Sequence, residues 1–180
     1  MSRIVVLAGS PRKNGNTDRL AAAFVKAASE HHDVEVISVH DYKISPCSGC
    51  NTCFSSAGHA CVQNDDMQLI YDKLYKADTV IIASPVYFYG ISAQLKAVID
   101  RLHNPIRNEF AIRQLGLILV GAATLPELFD AIITQYRLTL NFFHLVDAGM
   151  VLVRGAREKG DVREEDLEKA FRFGQSLSDN

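Results

Sequence analysis

The sequence predicts a doubly wound α/β domain, in which a parallel five-stranded sheet lies between two layers of helices. Three observations lead there. Short aliphatic runs alternate with runs of helical period from one end of the chain to the other. The runs at Ile4–Leu7, Val80–Ala83 and Leu115–Val120 are apolar without alternation, as strands covered on both faces require. The 180 residues, 48% hydrophobic and 22% charged, make one globular domain, expected to span 1–180.

The elements follow in order. The first strand, Ile4–Leu7, leads into a helix capped by Asn16 or Thr17, whose Leu20, Ala23, Phe24 and Ala27 fall on one stripe. Val34–Val39 alternates and reads as a strand near the sheet edge. Residues 41–63 form an irregular loop carrying every cysteine. A helix starting at Asn64 uses Met67, Ile70 and Leu74, and the strand Val80–Ala83 follows. Next come a helix over Ile91–Leu102, with Leu95, Val98 and Ile99 inward, and the strand Leu115–Val120. Pro126 opens a helix running through Leu140. Val151–Val153 is the fifth strand, and a last helix from Asp161 turns Leu167, Ala170, Phe171 and Gly174 inward. Five strands linked by βαβ crossovers suit the flavodoxin-like, three-layer α/β/α version of this fold.

Composition removes several function classes. Nineteen basic and twenty-one acidic residues leave a net charge of −2, with no cationic excess for a nucleic-acid backbone. The longest apolar stretch, Leu115–Ala123, is too short to span a bilayer, and no secretory leader is evident, so a cytoplasmic protein is expected.

Ligands of such folds bind outside the carboxyl ends of the strands. After the first strand, residues 9–17 (Gly-Ser-Pro-Arg-Lys-Asn-Gly-Asn-Thr) bring hydroxyls, amides, two cations and the N-terminus of a helix, the parts that hold a phosphate dianion. The spacing misses the nucleoside-triphosphatase loop, because Asn16 stands where that loop has its lysine. The phosphate is therefore a handle and is not transferred; the alternative is an ordinary polar loop with a cap. After the third strand, Tyr87, Phe88 and Tyr89 cannot all point inward, which suggests a crevice for a flat heteroaromatic ring or packing against a neighbour. A phosphate-bearing flavin joins the two loops.

Cys47, Cys50, Cys53 and Cys61 are spaced C-x2-C-x2-C-x7-C within fifteen residues. Three cysteines at intervals of three on a loop with Pro46 and Gly49 can wrap one face of an iron–sulfur cubane, with Cys61 as the fourth ligand. A zinc site, four free thiols and a regulatory disulfide stay open as alternatives. His59 is read as a solvated loop residue, and Asp100 with Arg101 as a structural ion pair.

The segments 9–17, Ser84-Pro85-Val86-Tyr87, Leu95-Lys96 and Ile99-Asp100-Arg101 resemble the NADPH-dependent FMN reductase family of flavodoxin-like flavoproteins. The cysteine run, with Asp65-Asp66-Met67 after it, resembles that family's iron–sulfur flavoprotein branch. The resemblance implies non-covalent FMN, with Ser10, Arg12, Asn14, Asn16 and Thr17 on the phosphate. Pro85, Val86, Tyr87, Phe88 and Tyr89 would line the isoalloxazine, and Gly121 its far side. It also implies a homodimer or homotetramer, for which the second face of the fourth helix (Leu138, Phe142, Phe143) is suited.

The expected function is an oxidoreductase in which NAD(P)H or a reduced carrier protein exchanges electrons with FMN and a [4Fe–4S] cluster. No side chain is assigned an acid–base role. A cluster-free NAD(P)H-dependent FMN or quinone reductase, and a redox-sensing binding module without turnover, are the alternatives.

Overall fold

A computed structural model describes residues 1–177; the last three residues of the expected domain lie outside the described part. Its sheet has five strands, all parallel, in the order β2-β1-β3-β4-β5. They are β1 (Arg3–Ala8), β2 (Asp33–Ser38), β3 (Thr79–Pro85), β4 (Gln114–Val120) and β5 (Val146–Val153). The alternating run 34–39 takes the sheet edge, where one flank faces water and Val36 is exposed while Ile37 is buried.

The helices are α1 (Asn16–Ala28), α2 (Met67–Leu74), α3 (Ala93–Arg101), α4 (Asp130–Phe143) and α5 (Glu164–Ser176). Successive strand residues point to opposite faces, so β1 feeds two cores. Ile4 and Val6 join the core that includes Leu20, Phe24 and Phe173 from α1 and α5. Val5 and Leu7 join the core that includes Ile70, Leu95, Val98 and Ile132 from α2, α3 and α4. Phe24 and Phe173 meet at 5.1 Å between ring centroids.

Element ends differ from the sequence pattern where side chains alone are a poor guide. The cap of α1 is Gly15, with no side-chain bond, and Asn16 is already helical. The segment before α2 is held in a turn by carboxylates, so α2 begins at Met67 and not Asn64. Ser92 caps α3 by accepting the Leu95 N–H. Pro126 opens a short 3-10 turn (Pro126–Phe129), and the regular helix starts at Asp130. β5 begins five residues earlier than Val151, since Val146 to Met150 pair with β4 through a register shift despite a polar, glycine-containing sequence. Asp161 is not in α5: its carboxylate accepts the N–H groups of Arg157 and Glu158 and closes a turn. Phe173 fills the α5 stripe with Ala170 and Gly174, while Phe171 is half-exposed beside Lys26. Among the described residues no helix is long and apolar enough to cross a membrane.

Candidate functional site

The phosphate-loop candidates gather at the carboxyl edge of β1. Gly9 N–H donates to Ala83 O, tying the loop to β3. A Cβ on Gly9 would lie 2.7 Å from Ser92 Oγ and 2.9 Å from Leu95 Cβ, so only glycine lets this loop touch the start of α3. Ser10 is buried and its Oγ accepts the Arg12 N–H at 3.2 Å. Asn14 takes a positive φ of 55° and, with Gly15, turns the chain into α1. Arg12, Lys13 and Asn14 are exposed, whereas Thr17 is buried. The first N–H groups of α1 lack helical acceptors and point out of its N-terminal end.

A segment that the sequence did not single out lies against this loop. The Asn16 side chain donates to Glu158 O at 2.8 Å and accepts from Gly160 N–H at 3.0 Å, so its amide braces residues 156–160. Arg12 reaches Arg157 O, and Lys159 reaches Lys13 O. Asp18 was also missed. Its carboxylate accepts the Asn14 N–H at 2.7 Å; burial pushes its pKa up, against the lowering by the Asn14 and Gly15 amides.

The aromatic candidates sit on a tight turn at the end of β3. Tyr87 and Gly90 exchange backbone hydrogen bonds at 2.9 and 3.1 Å, and Phe88 and Tyr89 both have positive φ, 50° and 65°. This is the geometry of a type I′ turn, normally built from Asn and Gly. All three rings are exposed, Phe88 by 98%. Pro85 and Val86 are half-buried, and Val86 N–H donates to Val120 O. Gly121 has both backbone groups bonded, its N–H to Val153 O and its carbonyl to Ala156 N–H. A Cβ there would meet Leu128 at 2.7 Å. Its glycine is explained by packing against the turn before α4.

The four cysteines line one small pocket of about 30 Å³, together with Tyr71, Arg101, His103 and Asn104. All are free thiols, Cys47 and Cys50 exposed, Cys53 and Cys61 half-buried. Hydrogen bonds from Thr52, then Ser48, draw the Cys50 pKa down to about 7, whereas burial pushes Cys53 up. Among the described residues no three His, Cys, Asp or Glu side chains converge as ligands of a single metal ion. Four soft sulfurs around one pocket are a donor set that suits either zinc or an iron–sulfur cluster. His59 is half-buried, with Nδ1 3.0 Å from Cys53 O, so it braces the loop.

Arg101 does not pair with its neighbour. Asp100 joins Lys96 one helical turn back. Arg101, 3% exposed at its side chain, pairs with Asp65, 8% exposed, at 2.5 Å. Asp65 also accepts the N–H groups of Ser45 and Met67, and so holds the chain both before and after the cysteines. Tyr71 donates to Arg101 O, and Asn104 to His59 O. The Arg101–Asp65, Tyr71–Arg101 and Asn104–His59 contacts join positions 30 to 45 apart in the chain, which is why periodicity and spacing did not reveal them.

Against known proteins, the family model for NADPH-dependent FMN reductases matches residues 2–156. The chain belongs to the NADPH-dependent FMN reductase family. It is 40% identical over 124 residues to an iron–sulfur flavoprotein of Methanocaldococcus jannaschii, a match covering 67% of this chain and 63% of that one. With an iron–sulfur flavoprotein of Archaeoglobus fulgidus it shares 33% identity over 184 aligned positions, 98% of this chain and 79% of the other. Among solved structures, the NAD(P)H:quinone oxidoreductase of Methanothermobacter marburgensis superposes with a TM-score of 0.79 at 18% identity, over 98% of this chain and 96% of that one. The last likeness concerns the fold.

As a member of the FMN reductase family the chain has a flavin to house, and the carboxyl-edge loops fit that cofactor. They bring cations and helix-end amides to one strand end and exposed rings to the next. A further cavity of about 700 Å³ lies between α3 and α4, walled by Ile99, Leu102, Phe110, Ile132, Phe142 and Leu145. Leu138 and Phe142 on α4 are each 63% exposed.

Proposed function

We propose that this chain is an FMN-dependent oxidoreductase that takes electrons from NAD(P)H or a reduced carrier protein and passes them between FMN and a [4Fe–4S] cluster ligated by Cys47, Cys50, Cys53 and Cys61. Bound together, such groups convert a two-electron donor into one-electron steps. The chain's own part is placement. Ser10, Arg12, Asn14, Thr17 and the first amides of α1 hold the phosphate. Asn16 braces residues 156–160 over that loop, and Tyr87, Phe88 and Tyr89 offer the ring surface.

The observation that carries the reading is that all four cysteines line a single pocket while α3 connects it to the flavin loops. Ser92, at the start of α3, lies where a side chain on Gly9 would collide, and Arg101, at its end, is on the pocket wall. Nine residues of helical rise separate these ends by about 14 Å.

A cluster-free NAD(P)H-dependent FMN or quinone reductase is the second reading, favoured by the exposure of Cys47 and Cys50 on their loop. The chain is further proposed to form dimers or tetramers through the exposed face of α4.

The test is a visible spectrum of anaerobically purified protein, with iron and acid-labile sulfide assayed on the same sample and NAD(P)H oxidation followed afterwards. Flavin bands on a broad shoulder near 400 nm, with roughly four irons per chain, support the two-centre carrier. Flavin alone with NAD(P)H turnover leaves the cluster-free reductase. A flavoprotein that never oxidises a nicotinamide or accepts electrons from a reduced carrier overturns both enzyme readings in favour of a sensor.

A further inference from the structure

We infer that Arg101, held by Asp65, is the electrostatic counter-charge of the cysteine centre and sets its reduction potential. The inference rests on the cluster reading above and goes beyond it, to a residue outside the ligand set.

Among the described residues lining the cysteine pocket, Arg101 is the only lysine or arginine. Its guanidinium is withdrawn from water and makes two contacts, to the Asp65 carboxylate and to Ser45 O at 3.4 Å. Both belong to the stems of the cysteine loop, two residues before Cys47 and four after Cys61. Its main-chain carbonyl is held by Tyr71 Oη at 2.7 Å. The cation is thus fixed in place from both ends.

Mechanical fastening does not require this arrangement. A buried ion pair spends much of its attraction on desolvation, and an apolar pair of like volume fastens a loop as well or better. Charge gives the pair a purpose. A cubane with four thiolate ligands is anionic, and each electron it takes up adds one negative charge. That addition is opposed unless a cation stands by, and a cation shielded from water, as Arg101 is, acts most strongly. Arg101 favours the reduced form, and Asp65 offsets part of its field. Arg101 is a positioning and tuning residue and is not itself a ligand.

Opposite signs make the idea testable in the anaerobic holoprotein. Midpoint potentials are read by dithionite titration with electron paramagnetic resonance, and the bound-FMN spectrum serves as a folding control. Arg101→Met should shift the cluster potential to more negative values and at least halve the iron per chain. Arg101→Lys should restore both. Asp65→Asn, which keeps the cation and removes its partner, should shift the potential the other way in the molecules that retain iron.

A purely structural role would lower iron in Arg101→Met and Asp65→Asn alike without opposed potential shifts, and that result overturns the inference. If Arg101→Met does not fold, an unchanged or negative shift in Asp65→Asn overturns it equally. Wild-type protein that holds FMN but no iron is the failure of the cluster reading itself, and is separable because it needs no variant.

Discussion

Asp65 gathers three partners, Ser45 N–H, Met67 N–H and the Arg101 guanidinium, within a nearly dry site. Burial pushes its carboxyl up, but Ser45 N–H and Arg101 outweigh burial and hold its pKa below the ordinary value. Removing one partner of a buried pair leaves the other charge uncompensated, so Asp65→Asn should cost about 3–5 kcal/mol at neutral pH. The sign with pH follows from the depressed folded value. The stabilisation is present above the unfolded pKa of about 3.9 and is lost as pH falls through the folded one. Denaturant midpoints of wild type and Asp65→Asn should therefore converge on acidification; a gap that stays constant refutes the assignment. Arg12 is a second case at this scale. Its exposed side chain reaches only a carbonyl at 3.4 Å, which leaves its charge for a phosphate. Arg12→Ala should weaken FMN roughly ten- to a hundredfold, the worth of a hydrogen bond to a charged group. Riboflavin, which has no phosphate, should bind both proteins equally. A parallel loss of riboflavin affinity in a fluorescence titration would show that Arg12 acts on the fold.

The turn Tyr87–Gly90 holds its chain under strain. Two bulky residues in the left-handed region, Phe88 and Tyr89, cost about 1–2 kcal/mol each and leave their rings in water. Such strain persists where function requires it. Tyr89→Gly should stabilise the FMN-free protein by about 1 kcal/mol and at the same time weaken FMN binding. Higher stability with undiminished FMN affinity would remove the turn from the flavin site. The cysteine loop is the other element with a separable role. Cys50→Ala should abolish iron and leave the flavin spectrum intact, because the pocket shares no lining residue with the loops 9–17, 84–90 and 121–125. Iron content equal to wild type would sink the ligand assignment.

For the whole molecule, the two faces of the sheet are covered unequally. One carries α1 and α5, joined by the Phe24–Phe173 contact; the other carries α2, α3 and α4 around a cavity of about 700 Å³. Interiors normally close such space, and the exposed Leu138 and Phe142 border the same side. Burial of that face against a second copy predicts an oligomer in light scattering. A Leu138→Glu, Phe142→Glu double variant should run as a monomer with its flavin spectrum retained in part. Wild-type protein that is already monomeric at high concentration would exclude this interface.

The parallel sheet and the edge position of β2 were legible in the sequence because they depend on repeated patterns. Fully apolar runs mark covered strands, and the alternating Val34–Val39 marks an edge. The cysteine spacing and the loop 9–17 were legible for the same reason, since each is a local motif. Residues 146–150 were not, because their pairing with β4 compensates for poor strand composition. Nor did spacing show that Arg101 belongs to the cysteine loop, that Asn16 braces residues 156–160, or that Asp18 ties the loop 9–17. The sequence by itself determined the class of fold and the chemistry available at each strand end. Tertiary structure alone decided which distant charges meet, because an ion pair between positions 36 apart obeys no period and is specified only when helices pack.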